Sequence, residues 1–146
     1  MAITQAIANS FKKELLEGEH NFIASTGDVF KLALYTSTAT LNSATTVYTT
    51  TNEVSASGQY TAGGGTLVNS GTSLVSGVAF CDFANLSFTG VTLTARGALI
   101  YNTSATVTDA AVAVLDFTAD KTATDGTFTI IFPADTSSAA ILRISG

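Results

Sequence analysis

The chain has 146 residues, the length of one ordinary domain, and can bury about 70% of its unfolded surface without a metal or a disulfide. Only 12% of the residues are charged, 46% are hydrophobic, and the net charge is −5. An acidic chain with six basic residues lacks the electrostatic footprint of a nucleic-acid-binding protein and is disfavoured at an anionic membrane, and no apolar run has the length of a transmembrane helix.

Because charged residues are few, hydroxyl side chains must supply most of the polar surface. The chain contains 25 threonines and 14 serines, with one proline and no tryptophan. Threonine is β-branched and suits exposed positions on a strand. The composition therefore predicts a sheet protein with neutral, hydroxyl-rich faces.

The N-terminal segment predicts an amphipathic helix over residues 3–17. Its apolar residues recur at helical spacing and share one face: Ile3, Ile7, Ala8, Phe11, Leu15 and Leu16. Its opposite face is polar: Asn9, Lys13 and Glu17. Gly18 is suited to end the helix, and we expect the apolar face to pack on the domain or on a neighbouring subunit. Polar residues interrupt the apolar ones, so we predict no signal peptide and synthesis in a cytoplasm.

From residue 28 onward, apolar residues recur at every second position, as in a strand, and no longer at helical spacing. Phe30, Leu32 and Leu34 alternate with more exposed positions and predict a half-buried strand. Residues 36–73 are poor in charge and rich in Thr, Ser and Gly, which predicts long loops or short strands near residues 47–48 and 66–69. The glycine triplet at residues 63–65 is not followed by the Lys-Ser/Thr of a phosphate-binding loop.

The second half of the chain predicts more regular strands. Their expected positions are residues 78–83, 86–88, 91–101, 111–117, 127–132 and 139–144. Asp120-Lys121 and Asp125-Gly126 are interpreted as turns, and Pro133 as the residue that stops a strand. Turn signals at such short intervals are typical of a sandwich. We predict a mainly β, antiparallel β-sandwich or jelly-roll-like single domain over residues 1–146, with the helix at 3–17 and the β region at 28–146.

The residue types that carry catalysis or metal binding are scarce. His20 follows Glu17 and Glu19, but a metal site needs about four ligands and the chain has no second histidine, so we interpret His20 as part of a solvated turn. Cys81 excludes an internal disulfide and is interpreted as a small buried hydrophobic residue.

The charged residues of the second half are interpreted as structural. Asp109, Asp116, Asp120 and Asp125 lack the aromatic cleft of a glycoside hydrolase and the spacing of a calcium loop, so local turns are favoured. Arg96 lies in a regular apolar run and predicts an ion pair, with Asp82 or Asp116 as partner. We therefore predict no enzyme activity, no catalytic residue, no cofactor and no metal.

Four segments carry a resemblance to small virion proteins of marine podovirus-type bacteriophages. They are residues 2–12 (AITQAIANSFK), 30–36 (FKLALYT), 95–102 (ARGALIYN) and 114–117 (VLDF). The resemblance spans most of the chain. It implies a capsid cement, or decoration, protein located in the virion, with the major capsid protein as partner and trimers placed over junctions of the capsid lattice.

Two other roles stay open at this point. One is a structural subunit of the neck or tail, such as an adaptor, a tube subunit or a fibre base. The other is a jelly-roll module that binds a receptor or a carbohydrate, a class that displays aromatic side chains on an open face. The aromatic candidates for such a face are Tyr35, Tyr48, Tyr60 and Tyr101.

Overall fold

The computed structural model describes residues 2–146, which form eight strands and one short helix. In chain order they are β1 (Ala6–Ile7), α1 (Asn9–Leu16), β2 (Phe30–Tyr35), β3 (Gly65–Thr66), β4 (Asn69–Val75), β5 (Val78–Phe83), β6 (Leu86–Asn102), β7 (Ala110–Ile130) and β8 (Leu142–Ile144). The helix is too short to span a membrane, and no longer one is formed by these residues.

The strands form two antiparallel sheets. The larger sheet has the order β1-β7-β6-β2-β3, and the smaller has the order β4-β5-β8. This arrangement confirms the predicted mainly β fold, an antiparallel β-sandwich with one helix near the N-terminus.

The long hairpin of β6 and β7 is bent by bulges. Its register shifts at four places, and a residue with positive φ lies at three of them: Gly90 (62°), Thr118 (66°) and Asp125 (49°). A bulge inserts an extra residue into one strand, which bends the strand and increases its twist. We call the half next to the connection between the strands proximal (residues 97–102 and 110–116) and the other half distal (residues 86–95 and 119–130). The distal half can therefore change direction without ending either strand.

The bulges explain where the predicted strand boundaries are wrong. Residues 86–88 and 91–101 belong to one strand, and so do residues 111–117 and 127–130. The turns predicted at Asp120-Lys121 and Asp125-Gly126 lie inside β7. Turns and bulges both favour small or acidic residues that tolerate positive φ, so local sequence does not separate them. The last strand is also shorter than predicted, because it begins at Leu142.

The proximal half of the hairpin forms the centre of the molecule. Ala98, Leu99 and Ile100 of β6 are completely buried, and so are Val112 and Val114 of β7. Such continuous burial means that both faces of this part of the sheet are covered. Farther along β6, buried and exposed residues alternate, because only one face of the distal hairpin packs on the core.

Helix α1 is shorter than the predicted helix at residues 3–17. The backbone N–H of Thr4 donates to the carbonyl of Leu41 (2.8 Å), and Ala6 and Ile7 pair with β7. Because these residues bond to other parts of the chain, they cannot continue the helix, and α1 begins only at Asn9. The end agrees with the prediction: Gly18 has φ 78° and follows the last turn as a Schellman cap.

The buried face of α1 differs from the prediction at two positions. Leu16 is 91% exposed although it was placed on the apolar face, whereas Glu14 is buried. At 3.6 residues per turn, Leu16 lies about 140° around the helix from the buried Phe11, and Glu14 lies only about 60° from it. A helix of two turns buries a narrow face, so Leu16 remains in solvent.

A chain of phenylalanine rings joins the two sheets. Phe30 of β2 stacks on Phe22 at 4.5 Å between ring centroids and also contacts Phe83 of β5 at 5.8 Å. Phe83 in turn contacts Phe132 at 5.7 Å. Aromatic pairs at these separations contribute about 0.5–1.5 kcal/mol each beyond burial of their area. The rings therefore fix how the smaller sheet sits on the larger one.

The other face of the larger sheet is covered by residues 36–64, an irregular segment with isolated bridges such as Val47 to Ala110. The glycine triplet closes this segment onto β2. A Cβ on Gly64 would lie 1.8 Å from the carbonyl oxygen of Leu32, and the φ of Gly64 is 79°. Glycine is required there for both space and backbone conformation.

We expect Gly64→Ala to destabilise the protein far more than Gly77→Ala. Both glycines have nearly the same φ (79° and 80°), but a Cβ on Gly77 meets nothing within 4 Å. The Gly77 variant therefore measures the cost of the left-handed conformation alone, about 1–2 kcal/mol. Gly64→Ala adds a backbone clash and should cost more than about 3 kcal/mol. Urea unfolding of both variants checks this, and equal losses would contradict it.

Candidate functional site

Four tyrosines and one glutamate form a cluster between the larger sheet and residues 36–64. The hydroxyls of Tyr48 and Tyr60 donate to the two carboxylate oxygens of Glu53, at 2.5 and 2.7 Å. The N–H of Gly63 also donates to Glu53 (2.8 Å), and the hydroxyl of Tyr101 donates to the carbonyl of Gly63 (2.6 Å). The carboxylate therefore ties three parts of the chain together.

Three tyrosines of this cluster are buried, and Tyr48 is partly buried. Tyr35 and Tyr60 are fully buried, Tyr101 is 2% exposed, and the ring of Tyr48 stacks on that of Tyr101 at 4.7 Å. Burial raises the pKa of Tyr101 to about 12 and raises the pKa values of the other three further, because the phenolate loses its hydration. These four side chains do not form the open aromatic face that a carbohydrate-binding module would display.

A second buried polar cluster lies on the opposite side, between α1 and the ends of β2 and β6. His20 Nε2 is 2.9 Å from Glu14 Oε1, and His20 Nδ1 is 2.9 Å from Asn102 Nδ2. Asn102 Nδ2 also donates to Asp28 Oδ2 (2.7 Å). The His20 side chain is completely buried, so the interpretation of His20 as part of a solvated turn is wrong.

The hydrogen bonds around Asn102 determine which nitrogen of His20 carries the proton. The Asn102 carbonyl oxygen accepts from the N–H of Ser104 (2.8 Å), so its amide group points at His20. Because an amide NH₂ only donates, His20 Nδ1 accepts, and Nε2–H donates to Glu14. In the sequence, the only sign of this site is that Glu14 lies six residues before His20. The predicted helix did not place Glu14 on its apolar face, and only the observed two-turn helix shows that Glu14 points inward.

The acidic neighbours of His20 in sequence point elsewhere. Glu17 pairs with Lys13 at the surface (2.9 Å), and Glu19 accepts from the N–H of Thr106 (2.9 Å). Among residues 2–146, no three His, Cys, Asp or Glu side chains are grouped so as to hold a metal ion.

An apolar groove with a volume of about 510 Å³ opens beside the His20 cluster, and we call it the α1 groove. One wall is formed by Phe11 and Leu15, and the other by β5 and β8 of the smaller sheet. Ile23 and Ile144 line it and are 57% and 60% exposed. The groove therefore presents apolar surface to solvent.

Two buried groups of β5 lie close to this groove. Cys81 lines it but is only 4% exposed, which confirms the interpretation as a buried hydrophobic residue. Burial raises the pKa of the Cys81 thiol to about 12, so the reactive thiolate is disfavoured. Asp82 is 1% exposed and accepts from the N–H of Phe83 (2.9 Å), and burial raises its pKa.

The predicted ion pair of Arg96 is present, with Asp116 as the partner. Arg96 Nε lies 3.2 Å from Asp116 Oδ1 across β6 and β7. Asp116 also accepts from the N–H of Thr118 in the bulge (2.8 Å), so it fixes a bend. Asp125 lies in a separate bulge, where its backbone N–H donates to the Thr92 hydroxyl (2.9 Å). The acidic residues of this half are spread along the hairpin and do not converge.

Comparison of the chain with models of known protein families, with curated proteins and with solved structures gave no match.

We expect Asn102→Ala to destabilise the protein by about 1–3 kcal/mol, because it leaves the buried His20 Nδ1 and the Ser104 N–H without their partner. Lys13→Ala is the matched control, since it removes a polar contact that is exposed to solvent, and it should leave stability unchanged. Urea unfolding of the two variants measures the difference. If both variants were as stable as the wild type, the buried cluster would contribute nothing.

We expect the protein to unfold as its tyrosines ionise. In the unfolded chain tyrosine has a pKa of about 10, whereas burial raises the pKa of Tyr101 to about 12 in the folded protein. The contribution to stability is complete below about pH 10 and is lost as the pH rises towards 12, because the unfolded state releases its protons first.

Circular dichroism and the near-ultraviolet absorbance of tyrosinate, followed together during alkaline titration, test this coupling. The two signals should change in one transition above pH 10, while the urea-unfolded control titrates near pH 10. Tyrosines that ionise near pH 10 in a chain that keeps its β structure would contradict the burial of the cluster.

Proposed function

We propose that this protein is a non-enzymatic structural component of a bacteriophage virion, a capsid cement protein that binds the major capsid lattice and stabilises it. The proposal joins the resemblance of four segments to podovirus-type virion proteins with the nature of the exposed surface. It places the chain in the capsid, after synthesis in the cytoplasm of the host.

The α1 groove is the observation that carries the proposal. Ile23 and Ile144 expose more than half of their surface beside it, and Leu16 of α1 is 91% exposed. A large apolar patch on a small protein marks a site for another protein, because its exposure to water is unfavourable. A capsid surface that covers the groove would remove this apolar area from water.

The hydroxyl-rich face of the distal hairpin supports the same role. Thr94 and Thr122 are joined across β6 and β7 by a hydrogen bond of 2.9 Å, and Ser87 and Thr129 form a second such pair. A neutral face of this kind can contact another protein without the cost of desolvating charges. In a lattice, many weak contacts of one kind add up through avidity.

The placement of the reactive side chains also supports a structural role. Glu53, His20 and Cys81 are engaged within the fold, in hydrogen bonds with Tyr60, Glu14 and Asn69, respectively. The four tyrosines that a carbohydrate-binding module would expose are engaged in the same way. We therefore prefer a capsid component to a receptor-binding module, and the trimer implied by the resemblance stays a prediction.

Quantitative mass spectrometry of purified virions tests the location. We expect the protein in the particle at a copy number comparable with that of the major capsid protein. A copy number equal to that of a single ring would instead place it in the neck or tail. Its absence from purified particles would refute a virion role.

The groove itself is tested by binding to capsids that lack the protein. Ile23→Glu and Ile144→Glu place charge on the groove and should weaken binding by about tenfold or more, a loss of about 1.4 kcal/mol. Ile131→Glu is the matched control, because Ile131 is 77% exposed but does not line this groove. Equal binding by all three variants would show that the capsid contacts another surface.

A further inference from the structure

The free edges of the two sheets are protected to very different degrees. An exposed edge strand presents unpaired N–H and C=O groups that can pair with another chain, and proteins normally block it with charges, bulges or a covering segment. In the larger sheet, the backbone of Leu34 in β2 is covered by Tyr60 and Val54. Distal β6 is covered by Ser57 and Gln59.

The outer edge of distal β7 is blocked by other means. It contains the charged residues Asp120, Lys121 and Asp125, and the bulges at Thr118 and Asp125 bend it. Both features are standard protection against pairing between sheets. This edge therefore has little capacity to accept another strand, although it is long.

The outer edge of β4 has a bulge only at its start and no charge at all. A register shift between Asn69 and Thr72 marks the bulge, and from Thr72 to Val75 the strand is regular and exposed. Leu74 is 72% exposed and Val75 is 49% exposed. Residues 54–81 contain no Asp, Glu, Lys or Arg, so β4 lies within a charge-free stretch of an acidic chain.

The turn between β4 and β5 determines which backbone groups face outward. Val75 pairs with Val78 across the two-residue turn Ser76-Gly77, so this pair exchanges both of its hydrogen bonds. Hydrogen-bonded and non-hydrogen-bonded pairs alternate along an antiparallel ladder. The N–H and C=O of Leu74 and Thr72 therefore point away from β5, at the free edge.

We propose that β4 pairs antiparallel with β4 of a second copy about a two-fold axis at Ser73, which joins the two smaller sheets into one six-stranded sheet. In this register Thr72 of each copy lies opposite Leu74 of the other. Both residues present their outward backbone groups, so the two pairs each exchange two hydrogen bonds. The proposal does not depend on the virion role, and the dimer is an alternative to the trimer that the resemblance implies.

A second copy suits this edge better than another partner for an electrostatic reason. Two copies of a chain with a net charge of −5 repel each other unless they meet where charge is absent. Residues 54–81, which include β4, contain no charge, so two copies can meet there without repulsion. A partner of opposite charge would find no charged group on this edge to attract it.

The pairing also extends the α1 groove. Leu74 and Thr72 share the face of the smaller sheet that carries Ala79 and Cys81, since directly opposite residues lie on one face. Thr72, Ala79 and Cys81 line the groove. Leu74 of the second copy would lie beside Thr72 and add apolar surface to the wall of that groove.

Light scattering coupled to size exclusion over a range of concentrations tests the assembly. We expect a mass that approaches twice 14.9 kDa for the wild type and stays at 14.9 kDa for Leu74→Lys. Ile131→Lys is the control for a new surface lysine and should dimerise as the wild type does. A wild type that stays monomeric, or an oligomer that Leu74→Lys leaves intact, overturns the proposal, and so does a trimer.

Cysteine crosslinking tests the register without disturbing the edge. Ser73→Cys places two thiols across the axis in a non-hydrogen-bonded pair about 4.5 Å apart at Cα, within the range of a disulfide. Ser76→Cys is the control, because its two copies would be separated by six residue steps, about 20 Å. The native Cys81 is buried and does not compete.

Mild oxidation should convert Ser73→Cys into a covalent dimer and leave Ser76→Cys monomeric. Circular dichroism of both variants confirms that the fold is retained. Equal crosslinking of the two variants, or no crosslinking of Ser73→Cys, would rule out the proposed register.

Discussion

The pairing of β6 with β7 is the interaction on which the rest of the structure depends. β1 and β2 bond to its two outer edges, and both faces of its proximal half are covered. Residues such as Leu99 and Val114 are completely buried because the N-terminal segment, residues 36–64 and the smaller sheet pack around them. The bulges at Thr118 and Asp125 let the same two strands continue beyond the core as an exposed, hydroxyl-rich hairpin.

Two buried polar clusters hold the irregular parts of the chain on this frame. Glu53 receives hydrogen bonds from Tyr48 and Tyr60 and so orders residues 36–64, and Tyr101 of β6 fastens this segment to one face by donating to the carbonyl of Gly63. His20 links Glu14 of the helix to Asn102 at the end of β6. A buried donor or acceptor without a partner costs about 1–3 kcal/mol, so each cluster favours one arrangement of its loop. The few ionisable groups of the chain serve mainly to order loops that have little apolar surface of their own.

Parts of the surface left by these contacts are neutral or apolar, and this property links the structure to the proposed role. The charged residues of β7 protect its long edge, whereas the edge of β4 carries no charge and the α1 groove is mostly apolar, apart from Arg143 and His20. Because the few charged residues are placed in this way, two distinct surfaces remain open to protein partners. One is a groove suited to side chains, and the other is a strand edge suited to backbone pairing.

The sequence by itself determined the mainly β class, the N-terminal helix with its end at Gly18, the burial of Cys81 and an ion pair for Arg96, because each depends on local periodicity or on a simple rule of burial. Only the tertiary structure decided that the helix begins at Asn9, since residues before it bond to distant strands. It also decided that Asp125 lies in a bulge, and that His20 and three of the four tyrosines are buried. These outcomes depend on partners far away in sequence, such as Asn102 for His20, which no local pattern encodes.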